Sequence, residues 1–345
     1  MRRPERIFFT RTFAAAILLL ALFLGGCGEQ RLIPAVGPYS DIYLFTETGR
    51  FDPALRNFTA QLSHTIRYTF EDENEFNVFL REGKNLAGNR DRKNILVFLR
   101  TDREGSLRSS VRKMLGREIF ERARSQGHLV LYREDLWARG QDVYFVLMDN
   151  SEEEDYVLAR MAPTLRRRFR DSTLERYRHF LLTGRENKGG SKYLWRKYNF
   201  SVRYPKEYVL LQERADLQAI ELHRKDPSRG IAVYWMNDME RAPTLADSTF
   251  LMAFRAGVTD TLYGDTILAG ASHFTDDLVG EREVIRHQGV WQNEEDLTGG
   301  PFVTYYFYDE SRRRMLALDL LLYAPGLEKH PYMRELEALA TTFQF

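Results

Sequence analysis

Cys27 carries the only thiol in a chain of 345 residues, and its setting favours one kind of chemistry. The residues before it are Leu24, Gly25 and Gly26, which directly follow an apolar run. Small side chains leave the backbone open to a peptidase, and a thiolate is a good nucleophile. The pattern predicts cleavage before Cys27 and attachment of a lipid to its sulfur. A lipidated Cys27 would leave no thiol for a disulfide, a thiolate nucleophile or a cysteine metal site.

The 26 residues before Cys27 have the layout of an export signal. Residues 13–23 form an unbroken apolar run, which is shorter than the roughly 20 residues of a membrane-spanning helix. The positive start ahead of this run consists of four arginines, Arg2, Arg3, Arg6 and Arg11. Together with the Leu-Gly-Gly-Cys ending, the segment resembles the signal peptide of bacterial lipoproteins. That resemblance implies a diacylglycerol on Cys27 as the new N-terminus.

The residue after Cys27 predicts the membrane to which the protein is tethered. It is Gly28 and not Asp, so the inner-membrane retention signal of some bacteria is missing. We therefore expect a protein of the bacterial cell envelope, held to the outer membrane by N-terminal acyl chains. The alternatives are an ordinary signal peptide with a chance cysteine, or an uncleaved anchor.

The net charge of +1 at pH 7 limits the classes of partner that the protein could bind. A protein without a global basic excess is a poor candidate for binding nucleic acid, which we exclude as a partner. Besides the membrane itself, an envelope protein or a glycan is the class of partner that we leave open.

The other residues that could perform chemistry form no catalytic motif. The seven histidines show no zinc-ligand spacing, and the chain has no Gly-x-Ser-x-Gly elbow, phosphate loop or dinucleotide fingerprint. His273 with Asp276 and Asp277 could supply two or three metal ligands, although a polar loop is the commoner origin of such a cluster. We expect no catalytic residue, no metal and no other cofactor.

One turn carries residues that are typical of recognition surfaces. Trp137, Arg139 and Gln141 place an aromatic ring, a cation and an amide between two predicted strands. Because Trp and Arg are favoured at binding hot spots, this turn is a candidate binding surface.

Three further features in the chain could contact a ligand. Gly299 and Gly300 could let a ligand approach the backbone, although a strand-entry turn that needs positive φ is the commoner explanation. Tyr305 begins the run 305–308, in which two rings could face outward and stack on a sugar or a partner, or simply pack within the sheet. The basic cluster 166–170 could face anionic lipid, but a solvated helix face paired to nearby acids is the simpler interpretation.

The elements that must position these residues differ between the two halves. The first half alternates strand and helix patterns, and Asp52 with Pro53 gives a typical helix start. This order indicates a small α/β sheet with helices on at least one face. We predict strands at 41–45, 94–99, 128–132 and 142–148, and helices at 52–64, 74–80, 106–126 and 151–182.

The second half reads as a mostly antiparallel sheet with two helices, so the expected fold class is α+β. The predicted strands are 200–204, 217–223, 231–236, 281–286, 289–293, 302–308 and 315–323, and the helices are 245–256 and 330–340. A glycine-containing charged stretch, 183–191, separates the halves. The predicted units are a signal peptide 1–26, a tether 27–39, an N-terminal α/β domain 40–183 and a C-terminal antiparallel α+β domain 192–345.

Four segments keep a distinctive order along the chain. They are Leu-Trp-Ala-Arg-Gly-Gln at 136–141, Gly-Gly-Pro-Phe-Val-Thr-Tyr at 299–305, Leu-Tyr-Ala-Pro-Gly at 322–326 and Tyr-Met-Arg-Glu-Leu-Glu-Ala at 332–338. With them, residues 40–345 resemble a family of bacterial lipoproteins known only as a domain of unknown function. The resemblance implies no activity, substrate or catalytic residue.

The second half alone is similar, more weakly, to a known fold. Asn-Phe-Ser-Val-Arg-Tyr-Pro at 199–205 and the ending 341–345 resemble the fold shared by photosystem oxygen-evolving subunit P and Mog1. Those proteins bind partners and are not catalysts, and a shared fold alone assigns no function.

Two functions therefore remain open. The first is a membrane-anchored envelope lipoprotein that serves as a non-catalytic binding or assembly module. The alternative is an envelope hydrolase that acts on peptidoglycan, glycan or peptide through a carboxylate pair.

Overall fold

The computed structural model describes residues 32–149, 154–240 and 245–345. The predicted signal peptide and Cys27 lie outside these ranges. Within them, every helix is too short or too polar to cross a membrane.

The N-terminal half is built on a five-stranded sheet in the order β4-β1-β5-β7-β6. β1, β4, β5 and β7 are mutually parallel where they pair, and the edge strand β6 is antiparallel. A small separate hairpin, β2–β3, projects from the connection between β1 and β4. The strands are β1 (Asp41–Thr46), β2 (Thr65–Ile66), β3 (Glu73–Asn74), β4 (Asn77–Glu82), β5 (Asn94–Arg100), β6 (His128–Glu134) and β7 (Asp142–Met148).

Four helices cover this sheet and bury an apolar cluster on each of its faces. The first begins as expected, because Oδ1 of Asp52 accepts a hydrogen bond from the Leu55 amide at 2.9 Å and Pro53 follows the cap. Pro163 lies inside the long fourth helix without ending it. The helices are α1 (Pro53–Ser63), α2 (Ser106–Leu115), α3 (Arg117–Gln126) and α4 (Glu154–Leu182).

The C-terminal half contains an eight-stranded antiparallel sheet. Its main path runs β11-β13-β14-β15-β10-β9-β8, and β12 also pairs with β13. The strands are β8 (Val209–Arg214), β9 (Ala219–Arg224), β10 (Ser228–Met236), β11 (Thr266–Ile267), β12 (His273–Val279), β13 (Arg282–Asn293), β14 (Thr298–Asp309) and β15 (Arg314–Tyr323).

Alternation along these strands gives the sheet two buried faces. One face packs on α5 (Lys188–Tyr198) and α7 (His330–Ala340), together with the end of α4 and Tyr68 from the N-terminal half. The other face packs on α6 (Ser248–Tyr263), whose N-cap is Asp247. Each face therefore has its own apolar cluster and its own set of inward polar groups.

The fold class is confirmed as α+β, with a mixed sheet followed by an antiparallel one, but several elements differ from prediction. Residues 77–82 form a strand and not a helix, because they pair in parallel with β1. The predicted single helix 106–126 is divided at Gly116, whose φ of 91° breaks the helix. Residues 200–204 form no strand and contribute only a bridge from Ser201 to Gln344, while residues 188–198 are helical.

A fully buried ion pair joins α6 to the middle of the C-terminal sheet. Arg255 Nε donates to Oδ1 of Asp319 at 3.1 Å, and both side chains are completely buried. Asp319 also accepts from the hydroxyls of Thr304 at 2.6 Å and Tyr234 at 3.2 Å. The guanidinium carbon of Arg255 lies 3.5 Å from the centre of the Phe302 ring. These contacts compensate a charge that could not otherwise be buried.

We expect Asp319→Ala to lower the free energy of unfolding by about 3–5 kcal/mol, because it leaves the Arg255 charge buried without a counterion. Urea unfolding followed by circular dichroism measures this loss. Asp216→Ala removes the partner of Arg214 in an exposed ion pair and is the control that should leave the midpoint unchanged. A loss below about 1 kcal/mol for Asp319→Ala would show that the buried pair contributes no more than a surface pair.

Candidate functional site

A cleft with a volume of about 720 Å³ lies between the two halves of the protein. The N-terminal half contributes the β2–β3 hairpin and one side of α4, and the C-terminal half contributes β12, β13, β14 and α7. Arginines, carboxylates and two histidines dominate its lining, so its chemistry is that of a polar, charged pocket.

Arg334 of α7 lies at the base of this cleft and binds groups from both halves. Its Nη1 donates to Oε2 of Glu337 at 3.0 Å, and its Nη2 donates to the carboxylate of Glu75. Its Nε donates to Nε2 of His330 at 3.0 Å, so that histidine must present an unprotonated nitrogen. Arg334 is buried, and although burial alone would lower its pKa, the nearby Glu337 raises the pKa above its ordinary value.

Glu337 is the second centre of the same network. Its Oε1 accepts a hydrogen bond from the Tyr68 hydroxyl at 3.2 Å and lies 3.4 Å from Nη2 of Arg286. Burial raises the pKa of Glu337, but the guanidiniums of Arg334 and Arg286 outweigh that effect and hold the pKa below its ordinary value. Glu337 is therefore an ionised acceptor and a poor proton donor for catalysis.

The β2–β3 hairpin also caps α7. The carboxylate of Glu73 accepts from the backbone amides of Lys329 at 2.8 Å and His330 at 2.6 Å. A carboxylate at a helix N-terminus satisfies free amides and interacts favourably with the helix dipole. The N-terminal half thus determines the position of the helix that carries Arg334 and Glu337.

The rim of the cleft holds charged groups that lie outside the hydrogen-bond network of Arg334 and Glu337. Arg67 and His64 are exposed beside the hairpin, where Arg67 forms an exposed ion pair with Asp72. Arg170 lies on α4 at 3.9 Å from Asp171. The pKa of His64 is lowered by its partial burial and by Arg166. The pKa of His273 is lowered by partial burial and by Arg286, so both rings are neutral at pH 7. The rim can bind a ligand that carries both carboxylates and amines.

The carboxyl ends of the parallel strands, where α/β proteins usually bind ligands, are filled by the protein itself. Glu47 accepts from the amides of Leu107 at 3.2 Å and Arg108 at 2.7 Å, at the N-terminus of α2. Gly105 leaves room for this carboxylate, since a Cβ there would lie 2.1 Å from it. Phosphate binding at this helix end would have to displace an internal anion.

Arg100, at the end of β5, is likewise occupied. Its Nη2 donates to Asp52 at 2.7 Å and its Nε donates to Glu154 at 2.6 Å. Glu47 and these two carboxylates thus occupy the helix end and the cation that could otherwise hold a phosphate here.

The predicted turn at 136–141 is largely structural. Gln141 is buried, accepts from the Trp137 amide at 3.1 Å and donates to the carbonyls of Arg90 and Arg92 at 2.6 Å. The Trp137 ring packs edge-on against Phe145. The Arg139 backbone pairs with residues 33–35, while its side chain is exposed.

The other predicted contact residues lie elsewhere. Packing requires a glycine at position 300, because a Cβ there would lie 2.0 Å from the Leu322 carbonyl oxygen. A Cβ at Gly299 would lie 2.9 Å from the Trp291 carbonyl oxygen. Tyr305 faces the cleft and is buried, not outward on the sheet. The six predicted residues therefore fall into three separate places, and Tyr305 is the one that the 720 Å³ cleft includes.

The histidine cluster near 273 does not form a metal site in the part of the chain that the structure describes. His273, Asp276 and Asp277 lie on the strand β12 and not in a loop, and among the described residues no three potential ligands converge.

Sequence reasoning missed the residues of the network. Arg334, Glu337 and Glu75 look like ordinary polar residues in their local sequence, since Arg334 and Glu75 are 259 positions apart. The buried pair of α6 and β15 did leave a signal. Asp319 is the one acid in an otherwise apolar strand core, and Arg255 interrupts an apolar helix face.

The comparison with protein families finds a match in the second half of the chain. Residues 187–342 match the model of a family described as a domain of unknown function, DUF4837. This confirms the expected resemblance to such a domain over the C-terminal sheet and its three helices. The matched range of 187–342 is shorter than the expected span of 40–345. A search of curated proteins found no match.

Several solved structures are similar to part of the chain. A protein from Bacteroides thetaiotaomicron is 10% identical over 42% of this chain and 44% of its own, with a TM-score of 0.28, so the chain spans less than half of it. The Ran-binding protein Mog1p of Saccharomyces cerevisiae is 12% identical over 46% of this chain and 92% of its own, with a TM-score of 0.31.

A third similar structure is LpqN of Mycobacterium tuberculosis, described as involved in cell envelope biogenesis. It is 14% identical over 42% of this chain and 82% of its own, with a TM-score of 0.29. Mog1 is one of the two proteins whose fold the second half was expected to resemble. At TM-scores this low, we draw nothing about function from these likenesses.

We expect acid to destabilise the protein through His330. Burial and the neighbouring Arg334 lower the pKa of His330 to about 3, below the value near 6.5 of an unfolded chain. The unfolded state therefore binds the extra proton first, and stability falls as pH drops from 6.5 toward 3. Between pH 7.5 and pH 5 this histidine should cost about 2 kcal/mol of unfolding free energy.

His330→Gln tests this, because glutamine can still accept from Arg334 Nε but does not titrate. Urea unfolding measures the free energy of unfolding at pH 7.5 and at pH 5. The decrease between these pH values should be about 2 kcal/mol smaller for the variant than for the parent. His179→Gln, at an exposed site on α4, is the matched control and should keep the parental slope. An unchanged slope for His330→Gln would contradict a buried neutral ring.

Proposed function

We propose that this protein is a lipid-anchored module of the bacterial cell envelope that binds a glycan–peptide ligand in the cleft between its halves. The observation that carries the proposal is the cleft itself, which both halves line with fixed charges of both signs. Cys27 and its signal segment support the anchor, and Gly28 supports an outer-membrane location.

The short reach of the chain after Cys27 supports a ligand close to the membrane. The Arg139 amide donates to the carbonyl of Ile33 at 2.8 Å, and the Ala35 amide donates to the carbonyl of Arg139 at 2.8 Å. Only six residue steps separate Cys27 from Ile33, which span about 20 Å at most. The folded body would remain within that distance of the lipid headgroups.

The charges of the cleft support the ligand class. A peptide-bearing glycan fragment presents carboxylates and amines on a polar scaffold, and Arg67, Arg170 and Asp276 all line the cleft. Charge-assisted hydrogen bonds to such groups are stronger than neutral ones and would orient the ligand. The buried network below the rim supplies a rigid floor that does not need to rearrange on binding.

The carboxylate pair of the alternative hydrolase gains no support from this cleft. Glu75 and Glu337 both bind Arg334, and Glu337 is held ionised. A glycosidase needs one of its two acids protonated at working pH. We therefore favour binding in the cleft over hydrolysis by a carboxylate pair.

We expect Cys27→Ser to abolish membrane attachment when the protein is expressed in a bacterial host. The hydroxyl cannot receive the thioether-linked lipid, and one unlipidated chain has no other anchor in this proposal. Fractionation after a high-salt wash measures the shift from membranes to the soluble fraction. Membrane retention of Cys27→Ser, or intact-mass spectrometry showing an unmodified thiol in the parent, would contradict the anchor.

We expect the unlipidated body, residues 28–345, to bind soluble muropeptides released from a purified sacculus. Removing two rim cations in Arg67→Ala/Arg170→Ala should weaken binding about tenfold or more in calorimetry, because the ligand carboxylates lose their partners. Arg112→Ala, an exposed arginine on α2 away from the cleft, is the matched control. Equal affinity of both variants, or no binding by the parent, would contradict the proposal.

A further inference from the structure

A second, smaller cavity of about 280 Å³ lies on the opposite face of the C-terminal sheet from the cleft. Its walls come from the hairpin of β9 and β10, the end of α6, and the ends of β13, β14 and β15. It shares no lining residue with the cleft. The proposed binding function makes no use of it.

Three side chains in this cavity form a continuous hydrogen-bonded chain. Oγ of Ser228 lies 3.4 Å from Nε2 of His223. Nδ1 of the same ring lies 3.3 Å from Oε1 of Glu221. This order, hydroxyl to imidazole to carboxylate, is the arrangement that activates a serine nucleophile. Such contacts are commonly long in a free enzyme and shorten when substrate binds.

The strand register explains why the three groups meet. Glu221 and His223 are two positions apart on β9, so both project from the same face of the sheet. Across the hairpin, His223 is opposite Gly230 and Glu221 is opposite Ala232. Both partners are small, and a Cβ at Gly230 would lie 3.1 Å from Oε1 of Glu221. The small size of Gly230 and Ala232 leaves the space in which the imidazole and the carboxylate meet.

Glu221 determines which atoms donate and which accept along this series of hydrogen bonds. Glu221 is buried, and its Oε2 accepts a hydrogen bond from the Tyr263 hydroxyl at 2.8 Å. Oε1 is then the acceptor for the N–H at Nδ1 of His223. That tautomer leaves Nε2 unprotonated, so it can take the proton of the Ser228 hydroxyl.

An unused donor lines the same cavity. The Trp291 side chain is 8% exposed, and its Nε1–H has no acceptor among the residues that the structure describes. A buried donor without a partner costs free energy, so its presence calls for a ligand acceptor. Gly300 lies against this N–H, since a Cβ there would be 3.4 Å from Nε1. A carbonyl oxygen of a substrate is an acceptor of suitable chemistry.

We propose that Ser228, His223 and Glu221 form a serine relay that hydrolyses short-chain carboxylic esters. Ser228 Oγ attacks the acyl carbon while His223 Nε2 takes its proton. The C–O bond to the alcohol breaks, and His223 returns the proton to the leaving alcohol oxygen. Water then attacks the acyl-serine with His223 again as base, which releases the carboxylic acid and restores Ser228.

The roles differ among the residues. Ser228 and His223 are catalytic residues because they touch the reacting atoms, and Glu221 is a positioning residue that sets the tautomer of His223. Trp291 Nε1 would donate to the carbonyl oxygen as negative charge develops on it. The cavity volume of about 280 Å³ accommodates an acyl group of a few carbons.

The test uses the folded body, residues 28–345, and two probes. The first probe is a fluorophosphonate, which loses fluoride when a relay serine attacks its phosphorus. The second is 4-nitrophenyl acetate, compared with the decanoate ester. We expect labelling at Ser228 by peptide mass spectrometry and faster hydrolysis of the acetate. Ser228→Ala should remove labelling and lower kcat/KM by about 1000-fold or more.

Matched variants separate the relay from folding. Ser110→Ala, at an exposed serine of α2, should keep full labelling and hydrolysis. Glu221→Gln retains an acceptor for Tyr263 and should lower kcat about 100-fold or more with KM unchanged, because the wrong histidine tautomer is favoured. A merely structural role for Glu221 would instead reduce the folded fraction, which circular dichroism reports.

The outcomes are decisive in both directions. Labelling that disappears in Ser228→Ala and in His223→Ala, with both variants folded, supports the relay. No labelling or hydrolysis by the parent, or equal rates for the parent and Ser228→Ala, overturns it. Neither outcome bears on muropeptide binding in the cleft, because the two sites lie on opposite faces of the sheet.

Discussion

The arrangement of the two halves depends on one buried guanidinium, that of Arg334. It binds Glu75 from the N-terminal half and Glu337 from its own helix, and it donates to the neutral ring of His330. Burying an arginine is costly unless its charge and its N–H groups are matched, so each of these partners is needed. Glu73 fixes the N-terminus of the same helix from the same hairpin. Displacement of the hairpin would leave Arg334 without its Glu75 counterion and the amides before α7 without a cap.

Such a network contributes specificity of packing more directly than it contributes stability. Buried ion pairs often gain little over apolar side chains of the same size, because desolvation offsets most of the attraction. Here the network determines which surface of α7 meets the N-terminal half, since apolar residues such as Leu336 and Leu339 pack into the C-terminal core. Directional hydrogen bonds at Arg334 fix the orientation of α7. Apolar packing alone would define that orientation less well. The floor of the cleft follows from that fixed orientation, and so does the position of its charged rim.

The parts of this structure that depend on local patterns could be predicted from the sequence. Alternating strand and helix signals predicted the α/β half, period-two runs predicted the antiparallel half, and Asp52 with Pro53 marked a real helix start. Local patterns failed where a distant partner decides. Phe76, Phe79 and Leu80 have the helical spacing that predicted a helix at 74–80, yet pairing with β1 makes residues 77–82 a strand, so tertiary contacts override propensity. The same limit hides the candidate sites, because nothing near Arg334 in sequence points to Glu75. Glu221 and His223 alternate on one strand in a way that could be read, but the Ser228 contact requires the hairpin register.

The two faces of the C-terminal sheet explain how one small domain can carry two kinds of chemistry. One face packs against the N-terminal half, so its inward charges must be paired, and what remains accessible is a rim suited to binding. The other face is covered by α6, which leaves the hairpin of β9 and β10 open at one end. Groups at that open end keep access to solvent while Glu221 stays buried behind them. A nucleophile needs this combination, because water and substrate must reach Ser228 while the carboxylate that orients His223 remains shielded. The asymmetry of burial between the two faces, and not the identity of any single residue, therefore separates a binding surface from a reactive one.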